Sequence, residues 1–545
     1  MWHETRGRAC SATWNPASDV RTRGTARLNR QTILFSALLA MGLVTMAALL
    51  WHSAAFLTGA WAAIRFPFQI DYGEGSIISQ AMRWLSGGPL YPRLSAEGPY
   101  IVNNYPPVIY LLLGAVMVRG ARLLYWGRAL SVLSTVGCAA LVAYCVWIAL
   151  KGRKTVRAGA ALVAALLFMR FEPVSFWAPL VRIDGFALFF DLAGLAWFLR
   201  YSTERRSLWA AVFFVLAAFS RQSMVAAALA CVAASAVINW RWSAWLAGLT
   251  LAGMAVALAI SQFLTGGNYW FNVVTATATQ FSWRFALEYI RNMAFQYRAV
   301  LAVSAFFFVV SIVGVVRRFR PPDRDVSSGV ALTAYWLFHA ILMLTVGKIG
   351  SNANYFLGFL AASAILVGSA LGKALALLEH VAPTRRLQGM AVAILILGAI
   401  VFDAFPFRQP LRLAETGSES YAAESALVSE MWRVSGEVIS EEMLPVLQSG
   451  RLVVFQPFEM TQLAYVGKWN EAPFIDRLRA RAYSLVVLRF DVMHPPPFAL
   501  SRFTPLMMET IARNYEFYRQ IGIFHLYLPR APERKEEPGV SKGTP

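Results

Sequence analysis

The sequence predicts an all-α polytopic membrane domain, with about eleven transmembrane helices and membrane-surface helices in its first outer loop, followed by a small C-terminal α/β extracytoplasmic domain. Three observations lead there. Of 545 residues, 57% are hydrophobic and only 15% charged, too apolar a balance for an ordinary soluble chain. Apolar runs recur at lengths of about 17 to 25 residues, enough to carry a helix across roughly 30 Å of hydrocarbon. Beyond Phe405 the composition turns soluble-like and stays so to about residue 530.

The net charge of +20 would point to nucleic acid in a soluble protein. Here the arginines cluster between apolar runs, where retention of positive loops in the cytoplasm accounts for most of them, so no nucleic-acid partner is expected. Cys138, Cys145 and Cys231 fall inside apolar runs and Cys10 in the polar N-terminus. No disulfide framework or zinc spacing results.

In chain order, residues 1–30 are polar and arginine-rich and are expected to be a disordered cytoplasmic segment. The apolar run from residue 31 is too long for a signal peptide and has no convincing cleavage site, so it reads as a retained first helix. Residues 31–405 hold twelve apolar runs, of which the one at 106–118 is short, begins with two prolines and ends in Arg119-Gly120-Ala121-Arg122. If that run crosses, the basic loops Lys151 to Arg157, Arg200 to Arg206 and Arg317 to Arg324 all fall outside. If it lies along the membrane, all three return to the cytoplasm, and Arg385-Arg386 with them. The positive-inside rule favours the second arrangement, eleven crossings and one surface helix. It gathers Asp71, Glu74, the Asn104-Tyr105-Pro106-Pro107 turn, Arg182, Asp184, Arg221 and Lys348 to Tyr355 on one face, the extracytoplasmic one, together with the C-terminal region.

Residues 406–530 suffice for one small α/β domain. Arg451 to Phe455 and Tyr483 to Leu488 are buried-strand candidates, helices are expected near 421–443, 473–481 and 504–515, and Phe517 to Leu528, broken at Gly522, reads as a terminal hairpin. Residues 531–545 are charged, rich in Pro and Gly, and expected to be disordered.

Asp71 and Glu74 sit in the glycine-containing stretch Asp71-Tyr72-Gly73-Glu74-Gly75. A carboxylate at a membrane surface can act as general base toward an acceptor hydroxyl; equally, both acids can cap the helix that Gly75 opens. Arg83, Arg119, Arg122, Arg128 and Arg221 lie on or near the outer face, against the insertion bias, where they either meet a lipid-linked phosphate or snorkel at the interface. Arg221 interrupts two short apolar runs beside Ser220, Gln222 and Ser223, a rare place for a charge. Asp184 stands beside Arg182 at the outer end of a crossing and could line a cavity; Asp191 lies deeper and is expected to make a structural hydrogen bond to another helix. Lys348 with the turn Asn352, Asn354 and Tyr355 could bind sugar hydroxyls or cap the next helix. Trp270 and Trp283 fit an aromatic belt. There is no phosphate-binding glycine loop, no serine-histidine-acid set and no cluster of metal ligands.

These segments resemble bacterial membrane glycosyltransferases of the GT-C superfold, the group that includes Rgt-type lipopolysaccharide-core transferases, aminoarabinose transferases and protein O-mannosyltransferases. The resemblance rests on DYGEG at 71–75, NNYPPVIYLLLG at 103–114, Val181-Arg182-Ile183-Asp184-Gly185, Ser220-Arg221-Gln222 and GSNANY at 350–355. It covers residues 31–405 in architecture, and the distal region with QPFEMTQL at 456–463 resembles an extracytoplasmic domain appended in one bacterial subgroup. It implies a polyprenyl-phosphate sugar donor entering from the membrane and an acid of the first outer loop as catalytic base for inversion, which falls on Asp71 with Glu74 as second candidate. It also implies surface helices in that loop and a basic residue meeting the donor phosphate at Arg221, a position often lysine in relatives. Arginine can do this with a bidentate fork, and Arg83 and Arg122 are further candidates. Phosphate leaves readily, so no second acid is demanded to protonate it.

The expected function is transfer of a hexosyl or pentosyl group from polyprenyl phosphate to an envelope glycan, lipid or protein acceptor. The expected location is the inner (plasma) membrane, multi-pass, with the N-terminus cytoplasmic. No cofactor is expected, and a divalent metal is left open. The rival is a transporter or flippase of a lipid-linked glycan, which calls for charges within several helices and internal repeats; the sequence shows one deep acid, Asp191, and no clear repeat.

Overall fold

The computed structural model describes residues 16–117, 123–317, 324–405 and 417–531. Arg119 and Arg122, residues 1–15 of the N-terminal segment, the junction 406–416 and the tail from 532 lie outside the described residues.

Helix α1 (Pro16–Arg65) begins within the polar N-terminal segment and stops just before Pro67. Helix α2 (Tyr72–Leu85) follows the acidic loop, and α3 (Val108–Met117) opens after Pro107, whose carbonyl accepts from the Leu111 amide at 3.0 Å. Ten residues rise about 15 Å, half of what a crossing of roughly 30 Å requires. The described part of the short run is therefore too short to cross by itself.

The bundle continues through α4 (Leu123–Ala149), α5 (Lys154–Arg170), the short α6 (Glu172–Trp177), α7 (Asp184–Tyr201), α8 (Ala210–Ala218), α9 (Ala226–Ile238) and α10 (Trp240–Leu264). After the single turn α11 (Asn268–Trp270) come the amphipathic α12 (Trp283–Gln296), then α13 (Arg298–Arg317), α14 (Arg324–Leu342), α15 (Leu357–Ala376) and α16 (Pro383–Ala404). Seven helices among the described residues are long and apolar enough to cross a membrane, and α9 is a shorter apolar helix; α5, α7 and α8 pack among them. The chain is a multi-pass membrane protein. Helix α15 is buried along nearly its whole length, and its small residues allow it: a Cβ on Gly368 would stand 2.6 Å from that of Ala164, and one on Gly372 would strike Leu150. Close approach through small residues is how helices pack where no hydrophobic drive separates them from lipid. Asp191 makes the expected structural bonds, accepting from the Ala227 amide at 3.2 Å and meeting His339 Nε2 at 3.2 Å.

The distal domain contains α17 (Ser418–Arg433), β1 (Val438–Ser440), α18 (Met443–Gln448), α19 (Pro457–Tyr465), α20 (Ala472–Arg479), β2 (Leu485–Leu488), α21 (Pro505–Asn514), β3 (Tyr515–Ile521) and β4 (Phe524–Pro529). Its sheet runs β1-β2-β4-β3, with β1 parallel to β2 and the other pairs antiparallel. Gly522 at φ 56° makes the β3–β4 turn.

Two sequence expectations need correction. The helix expected across 421–443 ends at Arg433, and Gly436, at φ 100°, turns the chain into β1. Arg451 to Phe455 is extended but lies outside the sheet, because β1 occupies the place beside β2. Instead it runs along the loop between α2 and α3: the Tyr100 amide donates to the Val454 carbonyl at 2.8 Å and the Gln456 amide to the Tyr100 carbonyl at 3.0 Å. Tyr100 packs on Phe474 at 5.3 Å between ring centroids, and Phe474 stacks on Phe455 at 4.2 Å. The distal domain and the first loop thus share one core.

Candidate active site

The acidic loop is built by a reciprocal cap. Asp71 precedes α2 and its carboxylate accepts from the Gly73 amide at 2.8 Å, while Glu74, in the first turn, accepts from the amides of Ile70 at 2.9 Å and Asp71 at 3.4 Å. Such a pair satisfies helix-start amides that would otherwise lack partners.

The two acids then diverge. Glu74 turns inward and meets Arg128 at 2.7 Å, both side chains being 0% exposed, and it also accepts from the Val181 amide at 3.0 Å. Arg128 spends its remaining donors on the carbonyls of Ala63, Phe66 and Phe68 at 2.6 to 2.7 Å, where α1 ends and needs a cation. Burial pushes the Glu74 carboxyl up, but Arg128 and the two backbone amides overcome it and hold the group below the usual carboxylate range. Glu74 is consumed by structure and does not line the cavity, which corrects its candidacy as an alternative base. Asp71 faces the other way and pairs with Arg182 at the wall of a cavity of about 490 Å³. Gly73 is what lets them meet, since a Cβ there would fall 2.0 Å from Arg182 Nη1.

A second ion pair stands in the same cavity. Arg221, in the break between α8 and α9, pairs with Asp184 at the start of α7. Asp184 also accepts from Asn354 Nδ2 at 3.0 Å, and the Arg221 guanidinium lies 4.2 Å from the centre of the Tyr355 ring. Gln222 ties the break to the first loop, donating to the carbonyls of Asn104 at 3.0 Å and Val273 at 2.8 Å. Lys348 and Asn352 line the cavity from the turn before α15, and the Asn352 side chain also caps that turn, accepting from the Ala353 amide at 2.7 Å. Asn104 and Tyr105 complete the first-loop side.

Most candidate residues are therefore brought together, with two exceptions besides Glu74. Arg83 points away from the cavity and donates to the Val453 carbonyl at 2.7 Å, so it fastens α2 to the distal domain rather than facing a phosphate. Arg122 lies outside the described residues. Sequence reasoning missed the distal wall, where Phe458, Glu459, Ser501 and Arg502 reach the cavity. Tyr72 donates to Glu459 at 2.8 Å and receives the Phe458 amide at 3.1 Å, while Arg502 stacks 3.7 Å from the Tyr72 ring centre. Burial pushes both the Tyr72 phenol and the Glu459 carboxyl up, so at neutral pH the phenol stays a donor. The segment 456–462 carries only a helix-start pattern, which hid this role, and Arg502 has no local signal at all. Among the described residues no group of three or more His, Cys, Asp or Glu side chains is placed to hold a metal ion.

Comparison with solved structures places the architecture. ArnT from Cupriavidus metallidurans bound to undecaprenyl phosphate superposes at a TM-score of 0.54 with 12% identity over 88% of this chain and 97% of that one. The chain has the GT-C fold. The apo state of the same ArnT gives a TM-score of 0.54 at 11% identity, over 88% of this chain and 97% of that one. The archaeal oligosaccharyltransferase AglB from Archaeoglobus fulgidus, in complex with an inhibitory peptide and a dolichol-phosphate, gives 0.48 at 12% over 89% of this chain and 75% of that one. No protein-family profile and no curated protein sequence matches the chain. Within this GT-C fold the cavity is closed by three distinct parts: the loop between α1 and α3, the helix breaks at Arg182, Arg221 and Lys348, and the distal domain.

Proposed function

We propose that the chain is a membrane glycosyltransferase that moves a hexosyl or pentosyl group from a polyprenyl-phosphate donor to an envelope glycan, lipid or protein acceptor. Transfer occurs at the extracytoplasmic face of the inner membrane, with inversion at the anomeric carbon. One observation carries this: a single cavity at one end of the membrane bundle holds a carboxylate, Asp71, and an arginine, Arg221, on separate rigid elements. The ArnT structure that shares the fold holds undecaprenyl phosphate, which supports a lipid-linked phosphate as the donor here.

In this reading Asp71 accepts the proton of the acceptor hydroxyl as that oxygen attacks the anomeric carbon, and Arg182 keeps the carboxylate aimed. The bond to the phosphate oxygen breaks, and Arg221 stabilises the charge that develops on the departing phosphate. Lys348 adds a second cation on the same side, and Asn354 keeps Asp184, hence Arg221, in place. Tyr105, Asn104 and Asn352 supply polar groups for sugar hydroxyls. The distal wall at Glu459 and Arg502 shapes the acceptor side.

The test is Asp71→Asn in the full-length protein, with envelope glycans compared by mass analysis in cells that have and lack the gene. Loss of the transferred sugar with normal membrane insertion is expected; unchanged transfer would sink the assignment.

A further inference from the structure

Helix α7 carries two carboxylates, Asp184 and Asp191, on nearly the same face and about 10.5 Å apart along its axis. The first reaches two other elements at the level of the cavity. It pairs with Arg221, in the break between α8 and α9, and accepts from Asn354 Nδ2, in the turn before α15, at 3.0 Å. The second repeats that bridge deeper in the bundle. Asp191 accepts from the amide of Ala227, at the start of α9, at 3.2 Å, and meets Nε2 of His339, in the last turn of α14, at 3.2 Å. The His339 and Asp191 side chains are only 5% and 1% exposed.

A buried carboxylate needs hydrogen-bond partners, but partners on one neighbouring helix would suffice. Asp191 instead joins three elements, and its imidazole partner is seated on a fourth. A Cβ on Gly358, at the start of α15, would fall 2.1 Å from His339 Cε1, so only a glycine lets the ring rest there. The Tyr335 ring stands edge-on to the imidazole at 4.6 Å between centroids. An ionised carboxylate only accepts, so the bond to Asp191 requires the His339 proton on Nε2. From this layer each element leads straight to the cavity: α9 begins just after Arg221, α14 continues through Met343–Gly347 to Lys348, and Gly358 closely follows Tyr355. Neither Asp191 nor His339 is among the described residues that line the cavity.

We propose that Asp191 and His339 form a positioning strut that fixes the Arg221 break and the Lys348–Tyr355 turn relative to α7. The strut thereby aligns the two cations, Arg221 and Lys348, that face the departing phosphate, an assignment of those cations that rests on the function proposed above. Both residues act through these cations and neither touches substrate. Breaking the bond frees the end of α14 to shift, and a transfer step that depends on alignment registers the shift even where the fold survives.

The experiment compares the full-length parent with three variants in detergent. His339→Leu removes the donor, His339→Gln returns an N–H near the place of Nε2, and Gly358→Ala displaces the imidazole. Hydrogen exchange is read by peptide, and turnover is read as transfer of labelled sugar from undecaprenyl-phosphate hexoses and pentoses to an envelope extract. His339→Leu and Gly358→Ala should speed exchange at 219–228 and 343–356 by about threefold or more and leave the distal sheet unchanged. Turnover should fall about tenfold in both, and His339→Gln should restore both readouts to near the parent. In a Lys348→Ala background His339→Leu should cost only about threefold, because part of what it misplaces is already gone. Unchanged exchange in the two segments, a uniform rise along the chain, glutamine behaving as leucine does, or an undiminished loss in the Lys348→Ala background would each overturn the proposal. A parent that transfers no sugar counts against the proposed function alone, since the exchange comparison still decides the strut. Should His339→Leu fail to fold, Gly358→Ala supplies the same comparison.

Discussion

Glu74 and Arg128 form an ion pair with both side chains wholly withdrawn from solvent at 2.7 Å, while Asp71, three residues earlier, turns its carboxylate to Arg182 at the cavity wall. One capping box thus carries one acid buried within the fold and one that faces the cavity. Exchanging the two should produce different failures. Glu74→Gln leaves Arg128 buried without its partner, a loss of about 3–5 kcal/mol, and should show as poor yield and a lowered unfolding temperature in detergent. Asp71→Asn should unfold at nearly the parent temperature while transfer falls by roughly 10²-fold or more.

Gly73→Ala isolates positioning from charge. The added Cβ displaces the far end of Arg182 rather than backbone, so the fold is expected to tolerate it, helped by the helix preference of Ala over Gly, about 0.5–1 kcal/mol. With Asp71 no longer held, transfer should drop by about 10²-fold. Full activity would show that the Asp71–Arg182 pair has no part in aiming the base.

Arg221→Lys keeps the charge but loses the planar stack on Tyr355, 4.2 Å away, and the bidentate fork. A fall in kcat/KM of about tenfold is expected, against roughly 10²- to 10³-fold for Arg221→Ala. Both can be read with a purified lipid-linked donor. If lysine and alanine behave alike, Arg221 serves the fold through Asp184 rather than the phosphate.

The contact between the distal domain and the loop before Asp71 should depend on pH. Burial pushes Glu442 up to about 7, with Arg489 opposing and Glu441 adding to the rise, and burial together with Glu442 pushes Glu424 up to about 8. Gln69 bonds to Glu442 from the first loop. A raised folded value means the native state keeps a proton that the unfolded chain, near 4.5, has already lost. The resulting stabilisation is full below that value and disappears as pH climbs through 7 and 8. The unfolding temperature should decline from pH 5 to 8, and Glu442→Gln should flatten the decline. A parent curve that rises across this window would contradict the assignment.

Sidedness can be read with cysteines introduced at two exposed positions, Lys154 and Lys468. An impermeant thiol reagent applied from outside the inner membrane should label Lys468→Cys and spare Lys154→Cys. Cys10 is replaced by serine in both variants, and the other native cysteines, Cys138, Cys145 and Cys231, are buried. The reverse pattern would require the segment at Val108–Met117 to cross.

Much of this was legible because membranes force regularity. Backbone groups in lipid must be satisfied within helices, so apolar runs marked the helices, and the spacing of charged loops between them gathered Asp71, Asp184, Arg221 and the Asn352 turn at one end. The cavity contains all of them. What stayed hidden depends on contacts between distant residues. Arg128 read as an interfacial arginine because its partner is 54 residues away, and nothing near Arg502 announces that it stacks on Tyr72. β1 is three residues long, too short for any alternation to show. Arg451 to Phe455 looked like a sheet strand since apolar alternation records burial, not which neighbour does the burying.

The hydrogen bonds joining Tyr72 to Phe458 and Glu459 link residues 386 and 387 positions apart, and this sets an order of events during biosynthesis. At about 5–20 residues per second, the loop carrying Asp71 is made some 20–80 s before the wall that closes its cavity. Until the distal segment has been made and folded onto Tyr100, a nascent chain presents Asp71 with one side of its pocket missing. The cavity is therefore complete only once the distal segment has been made, and products truncated before residue 456 should insert as helices yet leave it open on one side.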